Sequence, residues 1–283
     1  MTRAFVLSGG ASLGAVQVGM LKALAGHGIL PDRVYGSSAG AVNAAWVAGD
    51  PRLEHLDELD RLWVGLRTRT VFPAHPVRGL LGFLGRENSL VSSGSLRRLL
   101  HRQVRFTRLE DAAIPIGIPV TEVTTGREEM LRTGDAVQAV LASAAIPGVF
   151  PPVTIDGRAF IDGSIVNNVP IEPAVEDGAT EIWVLATGYA CNLERPPHGA
   201  LAMILHAVSL LVQQRLIRDV EEFGERVALR VIPPLCPLDV SPADFSQARV
   251  LIDRAEAAAN AWIDHLDPHV GVEQARDLGF HRH

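Results

Sequence analysis

Residues 34–46 read Val-Tyr-Gly-Ser-Ser-Ala-Gly-Ala-Val-Asn-Ala-Ala-Trp. A short β-branched and aromatic run meets two serines set between two glycines, and small residues at helical spacing follow. The pattern predicts a strand over Arg33–Tyr35, a sharp turn, and a helix over Gly40–Ala48 that Gly49-Asp50-Pro51 ends. Gly36-Ser-Ser-Ala-Gly40 fits G-x-S-x-G in one frame only. Centring it on Ser37 would require glycine at Tyr35 and Ala39, so Ser38 is the candidate nucleophile. A serine on such a turn takes a strained backbone, and Gly36 and Gly40 relieve the crowding on either side. The helix that follows aims its free N–H groups and positive dipole end at whatever binds there. The plain alternative is a small-residue turn that only packs tightly.

Working outward, Ala4–Leu7 reads as a buried strand and Val16–Ala25 as a helix. Between them lies a second glycine-rich turn, Ser8-Gly9-Gly10-Ala11-Ser12-Leu13-Gly14. It misses the dinucleotide pattern G-x-G-x-x-G because residue 11 is alanine. The β-α-β-α opening predicts an α/β fold whose parallel sheet carries helices on its faces. Two glycine turns on adjacent parallel strands would set two groups of backbone donors at one sheet edge, which is how an oxyanion hole is built.

Further elements follow in order: a helix over Leu53–Leu66, a helix over Ser93–Val104 capped by Ser92 or Ser93, and strands at Ile114–Thr124 and Glu128–Thr133. Asp135–Ser143 reads as a helix, and Val153–Ile155 with Arg158–Ile161 as a hairpin about Asp156-Gly157. Strands at Glu181–Ala186 and Val227–Ile232 flank a long helix over Ala200–Phe223, and Pro242–Leu266 reads as a closing helix, part of a helical segment over 240–283. No repeat or low-complexity linker interrupts the 283 residues, so the chain reads as a single domain over 1–283. Residues 70–90 change character. Phe72, Leu80, Leu81, Phe83 and Leu84 sit among prolines and glycines, either in a loop whose apolar residues pack onto the core or in a candidate lid over an apolar groove or lipid surface.

The net charge of −6, with no block of Lys or Arg, argues against nucleic acid as a partner. Cys191 and Cys236, far apart and outside any CxxC spacing, read as buried free thiols suited to a reducing cytosol. No signal peptide is read at the start, and the apolar run Leu201–Val212 is broken by His206 and Ser209 and too short to span a membrane. A cytoplasmic location follows, with peripheral membrane contact open.

A nucleophilic serine needs a base. Only 37 residues precede Ser38, too few for the strands that come before the elbow in an α/β-hydrolase. None of the ten histidines sits in a recognisable motif: His27 lies at a helix end, His206 within an apolar helix, and His281 and His283 in the tail. A carboxylate on a tight turn is the better candidate. Asp162 follows a strand, and Gly163 lets the chain turn away before Ser164. Asp156 competes, but its hairpin already accounts for it.

Four stretches together resemble the patatin-like phospholipases, small bacterial members above all: FVLSGGASLGAVQVG (5–19), GSSAGAVNA (36–44), ASAAIPGVFPPV (142–153) and FIDGSIVNNVPI (160–171). The resemblance implies a three-layer α/β/α sandwich with a mainly parallel sheet. It implies a Ser-Asp dyad without histidine, and acyl-ester hydrolysis of lipid through an acyl-enzyme with no calcium or other cofactor. On this chain Ser38 would be the nucleophile and Asp162 the base. Gly9, Gly10, Ala11 and Ala39 would supply the oxyanion hole, and Gly14, Gly36, Gly40 and Gly163 are the motif glycines. The family's glycine loop usually reads Gly-Gly-Gly-x-Arg/Lys-Gly. Here Ala11 replaces its third glycine and Leu13 its basic residue, and Asp162-Gly163-Ser164 stands for Asp-Gly-Gly or Asp-Gly-Ala. Two other readings stay open: an acyltransferase using the same dyad, and a weakly active lipid-binding regulatory protein.

Overall fold

Alternating strands and helices wind the first half of the chain around a sheet whose two faces are both covered. The computed structural model describes residues 1–71, 89, 91–188, 198, 200–236, 238 and 240–266. The candidate lid at 70–90 falls almost wholly outside these residues, and so does the tail beyond Leu266. In chain order the elements are β1 (Arg3–Leu7), α1 (Gly14–Gly26), β2 (Arg33–Gly36), α2 (Ala39–Gly49), α3 (Leu56–Gly65), α4 (Thr68–Val71), α5 (Gly94–Gln103), β3 (Ile116–Glu122), β4 (Glu128–Leu131), α6 (Ala136–Ser143), β5 (Val153–Ile155), β6 (Arg158–Asp162), α7 (Ile171–Glu176), β7 (Glu181–Leu185), α8 (Ala200–Phe223), β8 (Ala228–Ile232) and α9 (Ala248–Asp264).

The strand order is β5-β6-β3-β2-β1-β7-β8, with β4 also on β3. The pairings from β3 through β2, β1 and β7 to β8 are parallel; those of β3 with β4 and β6, and of β5 with β6, are antiparallel. Period-two alternation divides β1 between two cores. Phe5 and Leu7 pack beneath α1, α2, α6 and α9, while Ala4 and Val6 face the side that holds α7 and the buried Leu216 and Val220 of α8. Burial on both faces explains why these strands are apolar throughout rather than alternating. The result is the expected three-layer α/β/α arrangement.

Several boundaries differ from the sequence reading for local reasons. The closing helix begins at Ala248, because Asp244 accepts a hydrogen bond from the Ser246 N–H and first holds Phe245–Gln247 in a 3-10 turn. The strand read to Ile161 runs on to Asp162. The short helix α7 carries no apolar period long enough to announce it.

One expectation is overturned. Cys236 is disulfide-bonded, and no described cysteine is free. The other cysteine of the sequence, Cys191, lies outside the described residues. A disulfide gives no support to a reducing compartment. Among the described residues no helix is long and apolar enough to cross a membrane.

Candidate active site

The site forms where three strands end together. β1 and β2 pair in parallel with Leu7 opposite Gly36, so the chain leaves both strands side by side as Ser8 and Ser37. β3 continues past β2, and its Val120 pairs with Asp162 at the end of β6, which carries the carboxylate to the level of the β2 turn. Close contacts lock these ends. A Cβ on Gly40 would lie 2.2 Å from the Leu7 carbonyl oxygen, and one on Gly163 would lie 2.0 Å from that of Pro119. Only glycine lets the start of α2 settle onto the end of β1 and the chain turn away after Asp162.

Ser38 caps α2 with φ 53 and ψ −119, a conformation that L side chains rarely adopt. The Ser143 hydroxyl accepts its N–H at 3.0 Å. Its own hydroxyl donates to Asp162 Oδ2 at 2.7 Å. Both residues are buried, at 5% and 3% exposure. Asp162 Oδ1 accepts the Ser164 N–H at 2.8 Å, and the main chain of Asp162 is fastened by Ala145 and Thr121. Burial pushes the Asp162 carboxyl up to about 6, while the hydrogen bonds from Ser38 and Ser164 hold it down. The group is thus a stronger base than an ordinary aspartate, yet largely ionised at neutral pH.

The candidate oxyanion donors divide. The Gly9 N–H departs from expectation: it already donates to Asn168, at 3.1 Å to Oδ1 and 3.3 Å to the carbonyl. Asn168 was not legible as its partner, because it lies 159 residues away and only the fold brings the two together. Among the described residues no acceptor takes the N–H of Gly10, Ala11 or Ala39. Gly10 is pressed against Thr187, whose hydroxyl donates to the Gly9 carbonyl at 2.6 Å, and Ala11 is held at φ 51. Gly36 and Gly14 are packing glycines, the first against the Gly40 carbonyl and the second against the Trp63 ring. Ser37 is buried with its hydroxyl 3.1 Å from that of Ser164, and Asp156 occupies the hairpin turn at φ 48.

Two cavities meet at Ser38. One runs from Ala11, Ser38 and Ala39 to Leu62, Trp63, Leu99 and Phe245, and every lining residue except Ser38 is apolar. The other, wider, holds Gly10, Leu13, Ser38, Asp162, Asn168 and Thr187. His206 lines this second cavity, although nothing in its apolar stretch of sequence marks it. Among the described residues no cluster of three His, Cys, Asp or Glu is arranged to hold a metal.

A family model described as "Patatin-like phospholipase" matches residues 5–175. The chain is 31% identical over 191 residues to "Lysophospholipase NTE1" of Cryptococcus neoformans, an alignment covering 65% of this chain and 11% of that protein. It is 28% identical over 189 residues to the human "Patatin-like phospholipase domain-containing protein 6", covering 66% of this chain and 13% of that one. The chain therefore spans only a small part of the curated relatives it matches. Among solved structures it aligns with VipD from Legionella pneumophila (TM-score 0.46, 15% identity, 98% of this chain and 67% of that one). It also aligns with human GIVD cytosolic phospholipase A2 in complex with methyl gamma-linolenyl fluorophosphonate (TM-score 0.47, 12% identity, 98% and 58%).

Proposed function

Because this chain belongs to the patatin-like phospholipase family, we propose that it is a serine acyl hydrolase acting on lipid esters through a Ser38–Asp162 dyad. The observation that carries the reading is the buried 2.7 Å hydrogen bond from the Ser38 hydroxyl to Asp162 Oδ2.

In the proposed reaction the acyl chain lies in the apolar cavity and its carbonyl carbon meets Ser38 Oγ. Attack forms the Oγ–C bond as the hydroxyl proton passes to Asp162, and the carbonyl oxygen takes the negative charge. The N–H groups of Gly10 and Ala39, with Ala11 beside them, receive that oxyanion; donors fixed before the reaction need no reorganisation during it. Collapse breaks the bond to the alcohol, which leaves into the wider cavity with the proton from Asp162. Water then gives a proton to Asp162 and attacks the acyl-enzyme, Ser38 is reprotonated, and the fatty acid departs. No step calls on a metal. The apolar cavity at Ser38 suits one acyl chain, in keeping with the lysophospholipase named among the relatives. The protein would meet its substrate by touching a lipid surface rather than spanning it.

The test is a fluorophosphonate reaction followed by mass mapping. We expect one adduct, on Ser38, and loss of both the adduct and ester hydrolysis in Ser38→Ala. His206→Ala should keep most of the turnover. An adduct on Ser37, or activity that depends on His206, would overturn the dyad.

A further inference from the structure

Beneath the first glycine turn runs a chain of buried polar side chains that the reaction above does not use. Gln17 and Asn43 are fully buried and Trp63 nearly so. Trp63 Nε1 donates to Asn43 Oδ1 at 2.8 Å. Asn43 Nδ2 donates to the Gly14 carbonyl at 3.0 Å and to Gln17 Oε1 at 2.8 Å. Gln17 Nε2 donates in turn to the carbonyls of Ser8 at 2.8 Å and Leu185 at 2.9 Å. Each donor and acceptor in the series is used. Isolated polar groups at such depth would be costly, so a fully satisfied network holds its members in one arrangement.

What the network grips is informative. Ser8 and Gly14 are the two ends of the turn that carries the unclaimed N–H groups of Gly10 and Ala11, and one hydrogen-bonded series holds both. Its far end is a wall of the apolar cavity: Trp63 lines that cavity, stacks on Phe245 at 6.4 Å between ring centres, and lies under Gly14, where a Cβ would come within 2.4 Å of its ring. Leu13 offers no cation to this turn, so its dipoles can act only if they are aimed in advance.

We propose that Gln17, Asn43 and Trp63 are positioning residues: they hold the Ser8–Gly14 turn in register with Ser38 and join the acyl-binding wall to the oxyanion donors. The inference rests on the hydrolase reading for its catalytic consequence but not for its structural one, and the test separates the two. Trp63→Phe keeps an aromatic ring but removes the N–H together with part of the indole that lines the cavity; Gln17→Glu keeps the shape and removes the donor to Ser8 and Leu185. Hydrogen exchange of the amides of residues 8–14 reads the structural part whether or not esters are turned over. It should quicken by about tenfold in both variants while β7 and β8 keep their protection. For catalysis, a trifluoromethyl ketone, whose adduct with Ser38 bears an oxyanion, should bind roughly tenfold more weakly and kcat should fall in parallel. This is less than the ~10²–10³-fold cost of deleting a donor outright. In Gln17→Glu, whose side chain does not line the apolar cavity, affinity for the fatty acid product should hold. Unchanged exchange over 8–14 in folded Trp63→Phe would overturn the proposal even if Gln17→Glu fails to fold, and so would equal losses of ketone and fatty acid affinity in Gln17→Glu. Native protein that binds no ketone and hydrolyses no ester, with exchange altered as expected, would overturn the hydrolase reading and leave the turn-holding role standing.

Discussion

The turns after β1 and β2 are built from the same materials, side by side at one sheet edge, and they present different chemistry. Each holds one non-glycine residue at left-handed φ, Ala11 at 51 and Ser38 at 53. In the second turn this conformation brings forward a side chain, and the Ser38 hydroxyl reaches Asp162. In the first turn the corresponding residue has only a methyl group, and what it brings forward is backbone N–H. Small residues at a strand end thus mark a place where backbone geometry is under constraint. Which atom the constraint exposes depends on the residue that carries it.

The comparison breaks most sharply at the carboxylate serving the second turn. Asp162→Asn should lower kcat by at least ~10³-fold, because the amide cannot take the serine proton. In the native protein kcat/KM should rise with pH through a midpoint near 6, where burial holds the Asp162 carboxyl. The stability effect has the opposite sense. A carboxyl raised from 3.8 to about 6 in the folded state adds stability that is complete below about 3.8 and lost as pH rises through 6. Asp162→Asn should therefore be more stable than the native chain at pH 8, by up to about 3 kcal/mol, and gain little at pH 4. Thermal melts at both pH values, beside an ester assay, check both signs. Equal stability at pH 8 would mean that the carboxylate is better solvated than its burial implies.

A milder change sharpens the contrast from the first turn. Leu13 lies on the wall of the wider cavity, where the family places a base. Leu13→Arg should raise kcat by about tenfold, less than the ~10²–10³-fold that one oxyanion donor supplies, and leave KM for a short soluble ester unchanged. A gain confined to KM would assign the arginine to head-group binding instead.

The smallest expected effect compares the two strained residues directly. Ala11→Gly should relieve a left-handed conformation that costs roughly 1–2 kcal/mol for an L residue, against the ~0.5–1 kcal/mol that glycine gives up through unfolded-state freedom. A net rise in stability of up to about 1 kcal/mol should appear by denaturant titration with turnover little changed. A marked loss of turnover would show that the Ala11 methyl group helps to shape the acyl cavity, whose lining it joins.

Much of this fold was legible because its signals are local. The strand, turn and helix over 33–49 follow from a β-branched run, glycines at fixed spacing and a run of small helix formers, and the structure builds them within a residue or two. The hairpin at Asp156-Gly157 was equally plain, since both residues must take positive φ and the pair is suited to it. The single frame of G-x-S-x-G selected Ser38, and Gly163 after a strand end selected Asp162; in the structure they are hydrogen-bonded across 124 residues of sequence.

What the sequence determined by itself, then, was the order of the longer elements and the tight turns that set Ser38 and Asp162 at strand ends, because both are written in neighbours along the chain. The tertiary structure alone decided the matters that depend on who meets whom. It gave the Gly9 N–H to Asn168 and, among the described residues, left those of Gly10 and Ala39 unclaimed. It raised the Asp162 carboxyl by burying it, and it set a disulfide at Cys236 where free thiols were expected. It also threaded Gln17, Asn43 and Trp63 into one series between the apolar cavity and the first glycine turn. Burial and hydrogen-bond pairing belong to the packed molecule, and no window of sequence contains them.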